Sequence, residues 1–222
     1  MKKIISYTLV LAALLVLSTR AHAQYQQRYY TDDLPEYPPA PVTFELRYSA
    51  GLPMDGLKQQ VSNTSYNGWD ASLMFPLGRH FHLGVALEYQ DFYQKYPRAD
   101  YYYGDQYTNI SAVVSNSIQN IPILLKGTYA LLGPNAFIQP YIGVGVGVNA
   151  VTYRQYLGEF TNYDQSSGKL AVNGEVGIKI PVSRNRRFGI DLAAEYNYLP
   201  YNQFGINNMD YIGLKGGIYV PL

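Results

Sequence analysis

His80 and His82 flank Phe81, and apart from His22 they are the only histidines in the chain, which has no cysteine. An imidazole beside a hydroxyl or carboxylate is the usual base of hydrolytic and acyl-transfer sites. Two imidazoles at i, i+2 can also begin a metal site, but such a site needs further ligands. No companion ligand accompanies this pair in sequence, so it reads as lying in or beside a turn at 78–80 and no metal is expected. Without cysteine there is no disulfide framework, no thiolate chemistry and no lipidated N-terminal Cys. Gly143, Gly145 and Gly147 suggest a dinucleotide loop, but G-x-G-x-x-G needs a sixth-position glycine and Val148 stands there. Gly143 and Gly147 also form a G-x-x-x-G, yet the apolar run around them is too short to cross a membrane as a helix. No cofactor is implied. The remaining chemistry-bearing residues are the acids and bases Glu45, Arg47, Asp70, Glu88, Lys126, Glu175, Lys179, Asp191, Glu195 and Lys215, and their spacing matters more than their number.

The glycines belong to a segment that explains that spacing. In residues 139–149, Ile142, Val144, Val146 and Val148 share one parity, while Tyr141, Gly143, Gly145, Gly147 and Asn149 share the other. A period of two is the signature of a strand, whose successive side chains point to opposite faces. One face is entirely branched aliphatic; the other is small or polar, as for a strand with a crowded interior on one side.

The same alternation recurs along the chain. Val42, Phe44, Leu46 and Tyr48 oppose Thr43, Glu45, Arg47 and Ser49; Trp69, Ala71, Leu73 and Phe75 oppose Asp70, Ser72 and Met74. Leu83, Val85, Leu87 and Tyr89 oppose Gly84, Ala86, Glu88 and Gln90; Ile121, Ile123, Leu125 and Tyr129 oppose Asn120, Leu124, Lys126 and Thr128. After 139–149, Leu170, Val172, Val176, Ile178 and Ile180 oppose Lys169, Asn173, Glu175 and Lys179. Phe188, Ile190, Leu192, Ala194 and Tyr196 oppose Asp191, Ala193 and Glu195, and Ile212, Leu214, Ile218, Val220 and Leu222 oppose Tyr211, Lys215 and Tyr219. The chain is therefore all-β with eight strands. Long loops are predicted at 53–65, 91–116, 153–168 and 199–208, and short turns at 78–80, 133–135 and 183–186. Phe75-Pro76-Leu77, Ile180-Pro181-Val182 and Val220-Pro221-Leu222 each close a strand at the short-turn rim, where a residue without an N–H is tolerated.

All ten of the acids and bases named above fall on the small-residue face. Two barrels satisfy such a pattern. In a membrane barrel the aliphatic face meets lipid and the charges fill the lumen; in a lipocalin-type soluble barrel the lumen is apolar and the charges lie outside. A charge at mid-depth on a lipid face would cost about 2–4 kcal/mol. Long loops at one end and short turns at the other favour the membrane arrangement, an antiparallel up-and-down transmembrane β-barrel with extracellular loops and periplasmic turns.

The N-terminus points the same way. Lys2 and Lys3 precede an apolar run from Ile4 to Leu17, and Ala21-His22-Ala23 offers an A-x-A cleavage site, so residues 1–23 read as a secretory signal peptide. Residues 24–41, with Pro35, Pro38, Pro39 and Pro41, read as an extended periplasmic tail, and 42–222 as the barrel. A net charge of +1 implies no nucleic-acid partner. A mean hydropathy of −0.16 suits a barrel whose strands are half polar. The 24 tyrosines, against 8 phenylalanines and 1 tryptophan, suit strands and membrane interfaces where one end of the ring is wet.

On strand count, loop asymmetry and charged lumen, residues 42–222 resemble the small eight-stranded outer-membrane β-barrel proteins of the OmpA-barrel and OmpX type, with a porin-like outer membrane β-barrel domain. The resemblance implies residence in the cell outer membrane, contact with outer-membrane lipid and lipopolysaccharide, and handling by the outer-membrane assembly machinery. Such proteins usually end in an aromatic residue; this chain ends in Leu222, with Tyr219 three residues back. Some relatives of this kind modify lipid A using a histidine near the outer leaflet. His80 and His82 lie at the opposite rim, so a non-enzymatic role is expected. Eight strands enclose a lumen only wide enough for its own side chains, which disfavours a general porin. A structural or surface-interaction, adhesion-like role is the first reading, with an accessory barrel of a secretion or assembly system and a secreted ligand-binding barrel as alternatives. Tyr93, Tyr96, Tyr101, Tyr102, Tyr103 and Tyr107, all in the loop 91–116, form the candidate contact surface for a surface protein or host partner. Tyrosine gives contact area with few rotors to freeze, and it is equally the residue of an interface belt.

Overall fold

A computed structural model of the chain describes residues 41–102, 109–133, 136–158, 160–183, 188–203 and 206–222. The expected signal peptide and nearly all of the proline-rich tail lie outside these residues. The eight strands are β1 (Thr43–Pro53), β2 (Ser65–Pro76), β3 (Phe81–Lys95), β4 (Val114–Ala130), β5 (Gln139–Leu157), β6 (Phe160–Pro181), β7 (Gly189–Tyr198) and β8 (Tyr211–Pro221). Each pairs antiparallel with its sequence neighbours, and β8 returns to β1 from Thr43↔Pro221 to Pro53↔Tyr211. The sheet thus closes without an edge in its membrane-height part, as an up-and-down barrel does.

The alternation sorts the two faces as a lipid-facing barrel requires. Val144 is 69% exposed and Val146 50% on the outside, while Arg47 and Lys126 are 1% and 0% exposed inside. This is the reverse of a lipocalin. Two aromatic levels bound the outer apolar band. Tyr48, Trp69, Tyr196 and Tyr198 are exposed near one end, with Trp69 stacked on Tyr89 at 6.3 Å between centroids. Phe75, Phe81, Tyr129 and Phe188 are exposed near the other. Rings that are apolar at one end and wettable at the other settle at both membrane interfaces.

Three loop expectations need correction. Residues 153–168 are not a loop: β5 and β6 run on to Leu157↔Phe160 as one long hairpin. Its turn uses Gly158 at φ +65°, a left-handed conformation that costs glycine no Cβ clash. Polar composition at 153–168 reflects a hairpin that runs on past the aliphatic outer band, not the loss of pairing. The segment 91–116 is likewise mostly sheet. β3 continues to Lys95 and β4 begins at Val114, and between them Ala99–Tyr102 pairs with Asn109–Ala112 as a ribbon. The segment 53–65 contains a short helix, α1 (Asp55–Gln60), entered through Asp55 at φ 42°. In the last long loop Asn202–Gln203 pairs with Ile206–Asn207.

Inside, the barrel has two levels. The ionisable residues fill the lower and middle lumen. Above them lies an apolar cluster that includes Phe92, Ile118, Val151, Tyr153 and Tyr211 from the wall, Leu57 and Val61 from α1 and its end, and Leu199, Tyr201 and Met209 from the last loop. This upper level closes the long-loop mouth.

Candidate functional site

Strand register assembles the lumen charges. Arg47 lies directly opposite Asp70 across β1 and β2, Asp70 opposite Glu88 across β2 and β3, Glu175 opposite Glu195 and Lys179 opposite Asp191 across β6 and β7. Arg47 is the hub. Its Nε and Nη2 fork onto Asp70 Oδ1 and Oδ2, both at 2.7 Å. Its Nη1 reaches Glu175 Oε1 at 3.0 Å and Asp191 Oδ2 at 3.3 Å, and its Nη2 reaches Glu175 Oε2 at 3.2 Å. Only a planar guanidinium presents that many donors in fixed directions.

Two lysines complete the cluster. Lys215 Nζ lies 3.2 Å from Asp70 Oδ2, 3.0 Å from Glu88 Oε1 and 2.7 Å from Glu195 Oε1. Lys126 Nζ lies 2.5 Å from Glu175 Oε2 and 3.6 Å from Glu195 Oε2. Lys179 does not take its cross-strand partner Asp191. It reaches across the lower lumen to Glu45 Oε1 at 2.5 Å, where Ser72 Oγ donates to the other Glu45 oxygen at 3.0 Å. All ten charged residues named from sequence thus face the lumen. Glu45 and Lys179 form a separate lower pair, with Lys179 nearest to solvent at 16% side-chain exposure.

Tyr141 is a network member that charge patterning could not reveal. Its hydroxyl accepts from Arg47 Nη1 at 3.0 Å and lies 2.8 Å from Glu175 Oε1 and 2.9 Å from Asp191 Oδ1, so its one proton serves either carboxylate. Space for its ring comes from Gly177, where a Cβ would sit 2.5 Å from Tyr141 Cζ. Asn173 and Asn197 add amide donors to Glu88 and Glu195 at 3.5 and 2.8 Å. The only earlier hint of Tyr141 was its position on the small-residue face.

The mouth cluster was not read from sequence at all. Leu57 and Val61 sit in a segment that looked like a polar loop, yet both are fully buried. Asp210 pins the last loop over them, accepting from the Leu199 N–H at 3.0 Å and the Tyr196 hydroxyl at 2.9 Å, while Met54 N–H donates to Asp210 O at 2.9 Å. Lys169 Nζ lies 5.4 Å from the centre of the Tyr201 ring, and burial pushes the Tyr201 hydroxyl pKa up. This lid of apolar side chains lies above the paired charges of the lumen.

The candidate tyrosines separate. Tyr93 stands on β3, pointing outward and 53% exposed. Tyr96 is half-buried and donates to Gln60 O at 2.8 Å, tying the β3 end to the α1 loop. Tyr101 and Tyr102 lie on the ribbon Ala99–Tyr102, and Tyr103 and Tyr107 lie outside the described residues. Of the two histidines, His80 Nδ1 lies 2.8 Å from Ala130 O, with its ring stacked on Tyr129, and His82 is half-buried at the same rim. Among the described residues no group of three or more His, Cys, Asp or Glu could hold a metal ion.

The barrel is similar to several solved structures. Neisserial surface protein A, from Neisseria, matches with a TM-score of 0.55 at 12% identity, over 82% of this chain and 97% of that one. OprG from Pseudomonas aeruginosa matches with a TM-score of 0.45 at 15% identity, over 82% and 95%. Ail, the attachment invasion locus protein of Yersinia pestis, matches with a TM-score of 0.42 at 9% identity, over 81% and 96%. No curated protein matches by sequence. The model of the outer membrane protein beta-barrel domain matches residues 9–217, and with its closed eight-stranded barrel and lipid-suited exterior the chain belongs to that family, resident in the outer membrane.

Proposed function

We propose that the protein is a non-enzymatic surface-interaction barrel, in which a lumen packed with paired charges serves as a rigid base for a wall of sheet held outside the cell. The observation that carries this reading is the disproportion of the strands. β7 and β8 have 10 and 11 residues, β5 and β6 have 19 and 22, and a tilted strand needs about 9–11 to cross a membrane. The surplus in β3 to β6 rises on one side of the mouth and carries the outward Tyr93 and the ribbon with Tyr101 and Tyr102. Eight strands leave a lumen only wide enough for its own side chains, and both histidines of the barrel lie at the short-turn rim. Energy invested in sheet that the membrane does not need is better explained by contact than by transport or catalysis.

Outer-membrane lipid and lipopolysaccharide surround the apolar band, the assembly machinery inserts it, and the protruding wall addresses a surface protein or host partner. The test is an Arg98→Cys variant on intact cells. An impermeant thiol reagent labels it, and deletion of 99–108 lowers cell adhesion while the barrel remains heat-modifiable on gels. Labelling only after lysis would sink the topology; unchanged adhesion would reduce the tyrosines to interface packing.

A further inference from the structure

β5 accompanies β6 along its whole length, up to Leu157↔Phe160. On the other side of β6, pairing with β7 begins only at Val172↔Tyr198 and runs down to Pro181↔Gly189. Residues 160–171 therefore have a strand neighbour on one side only, among the described residues. The cause is local. Immediately after Tyr198 the chain turns inward, Leu199 is buried in the mouth cluster, and Pro200 cannot donate to a ladder. The segment that would have covered β6 was used to close the lumen instead.

An unpaired edge presents N–H and C=O groups on alternate residues and is a template for another strand unless it is blunted by proline, lysine or a bulge. Here the ladder with β5 carries one register shift near its tip, where Gln155 faces Tyr163 and Tyr156 faces Thr161, and is regular from Tyr163 to Lys179, so 163–171 is the unblunted part of the edge. Residues 160–168 contain no proline and no lysine, and Ser166, Ser167 and Gly168 are too small to obstruct an approaching backbone. Lys169 is the first basic residue along the edge, on the inward face of the wall.

We propose that the upper edge of β6, residues 160–171, docks an extended, proline-free segment of a partner polypeptide, which joins the wall as an added strand and sets an acidic residue near Lys169. Main-chain hydrogen bonds supply the affinity in this mode, and side chains of alternate parity supply the selectivity. Opposite charges facing across a strand pair favour the register that joins them. The cellular setting of this docking rests on the surface-interaction reading above; the edge itself is tested without it.

The experiment uses the full-length protein in lipid nanodiscs and fluorescent peptides of about ten residues, alternating valine and threonine, with a central glutamate or a central lysine. A third peptide is the glutamate version, N-methylated at alternate residues on its pairing edge. The glutamate peptide binds saturably and slows amide exchange at 160–171. N-methylation weakens it by about tenfold or more, and Lys169→Glu reverses the preference between the glutamate and lysine peptides. Equal binding of the N-methylated peptide, absence of saturable binding, or protection that falls elsewhere overturns the proposal. Protection at 160–171 without peptide overturns it too, assigning the edge to a second copy if it grows with protein concentration and to the chain's own terminal segment if it does not. Adhesion lost on deleting 99–108 alongside a peptide-silent edge would sink the docking alone; a peptide-binding edge on a non-adhesive protein would sink the surface role alone.

Discussion

Glu175 and Glu195 stand directly opposite each other on β6 and β7, and a single ammonium, Lys126 Nζ, lies 2.5 Å from one and 3.6 Å from the other. Like charges facing across a strand pair are destabilising on their own, so the pair rests on cations: β4 delivers Lys126 between the two, Arg47 also holds Glu175, and Lys215 also holds Glu195. Asp70 and Glu88 repeat the arrangement across β2 and β3, with Lys215 as the bridge. The consequence is that Lys126→Met removes the cation shared by two facing carboxylates in a poorly hydrated interior, leaving Glu175 to Arg47 and Glu195 to Lys215. It is expected to cost about 3–5 kcal/mol in equilibrium unfolding by urea in micelles. Adding Glu195→Gln should recover part of that loss, since one of the two facing charges is then gone. A double variant no better than the single would show that the two residues do not act on each other.

Outside and inside are one residue apart on β5. Val146→Lys puts an ammonium in the lipid-facing band and should cost about 2–4 kcal/mol. Gly145→Lys points inward, where a Cβ would already stand 2.3 Å from Asn173 Oδ1, and should fail through crowding. Insertion into vesicles of different thickness separates the two. A thinner bilayer relieves the first variant and leaves the second unchanged; equal responses would contradict the assigned faces.

Tyr141 owes its place to Gly177. Gly177→Ala should push the ring off the network and lower stability by about 1–3 kcal/mol, the usual penalty of an overfilled core. Tyr141→Phe in the same background should cost less than it does in the wild type, because the hydroxyl contacts are already lost. Additive losses in a double-mutant cycle would refute that coupling.

At the mouth, Leu57→Ala should cost about 2–3 kcal/mol, toward the low end for a buried leucine because a short loop helix can settle into the space. The effect should be local. Amide exchange speeds up at residues 55–61 and 199–210, while β7 and β8 at membrane height keep their protection. Exchange that rose uniformly around the barrel would mean that the lid and the membrane wall unfold as one.

Parity alone made the strands and their two faces legible, because a period of two survives whatever the strand meets. It also gathered Glu45, Arg47, Lys215 and the others onto one face. It could not say who meets whom. Lys179 lies opposite Asp191 in register yet reaches Glu45, a choice made by barrel tilt and side-chain length. Tyr141 carried no charge to mark it. Residues 153–168 misled because a hairpin that runs on past the aliphatic outer band loses its apolar outer stripe, so its composition resembles that of a loop. Leu57 and Val61 were hidden because the six-residue helix carrying them is too short to show a period.

The N- and C-terminal strands are neighbours, and Arg47 on the first lies 128 and 144 residues from Glu175 and Asp191. Contacts so distant in sequence can form only once the last strand has been delivered, and such long closures are slow. Until β8 seats against β1, Arg47 has no complete set of acids and the acids have no Arg47, so each must keep its water. Sealing the cylinder and drying its interior are then the same step. A chain stalled before that step would hold an open, hydrated, heavily charged seam.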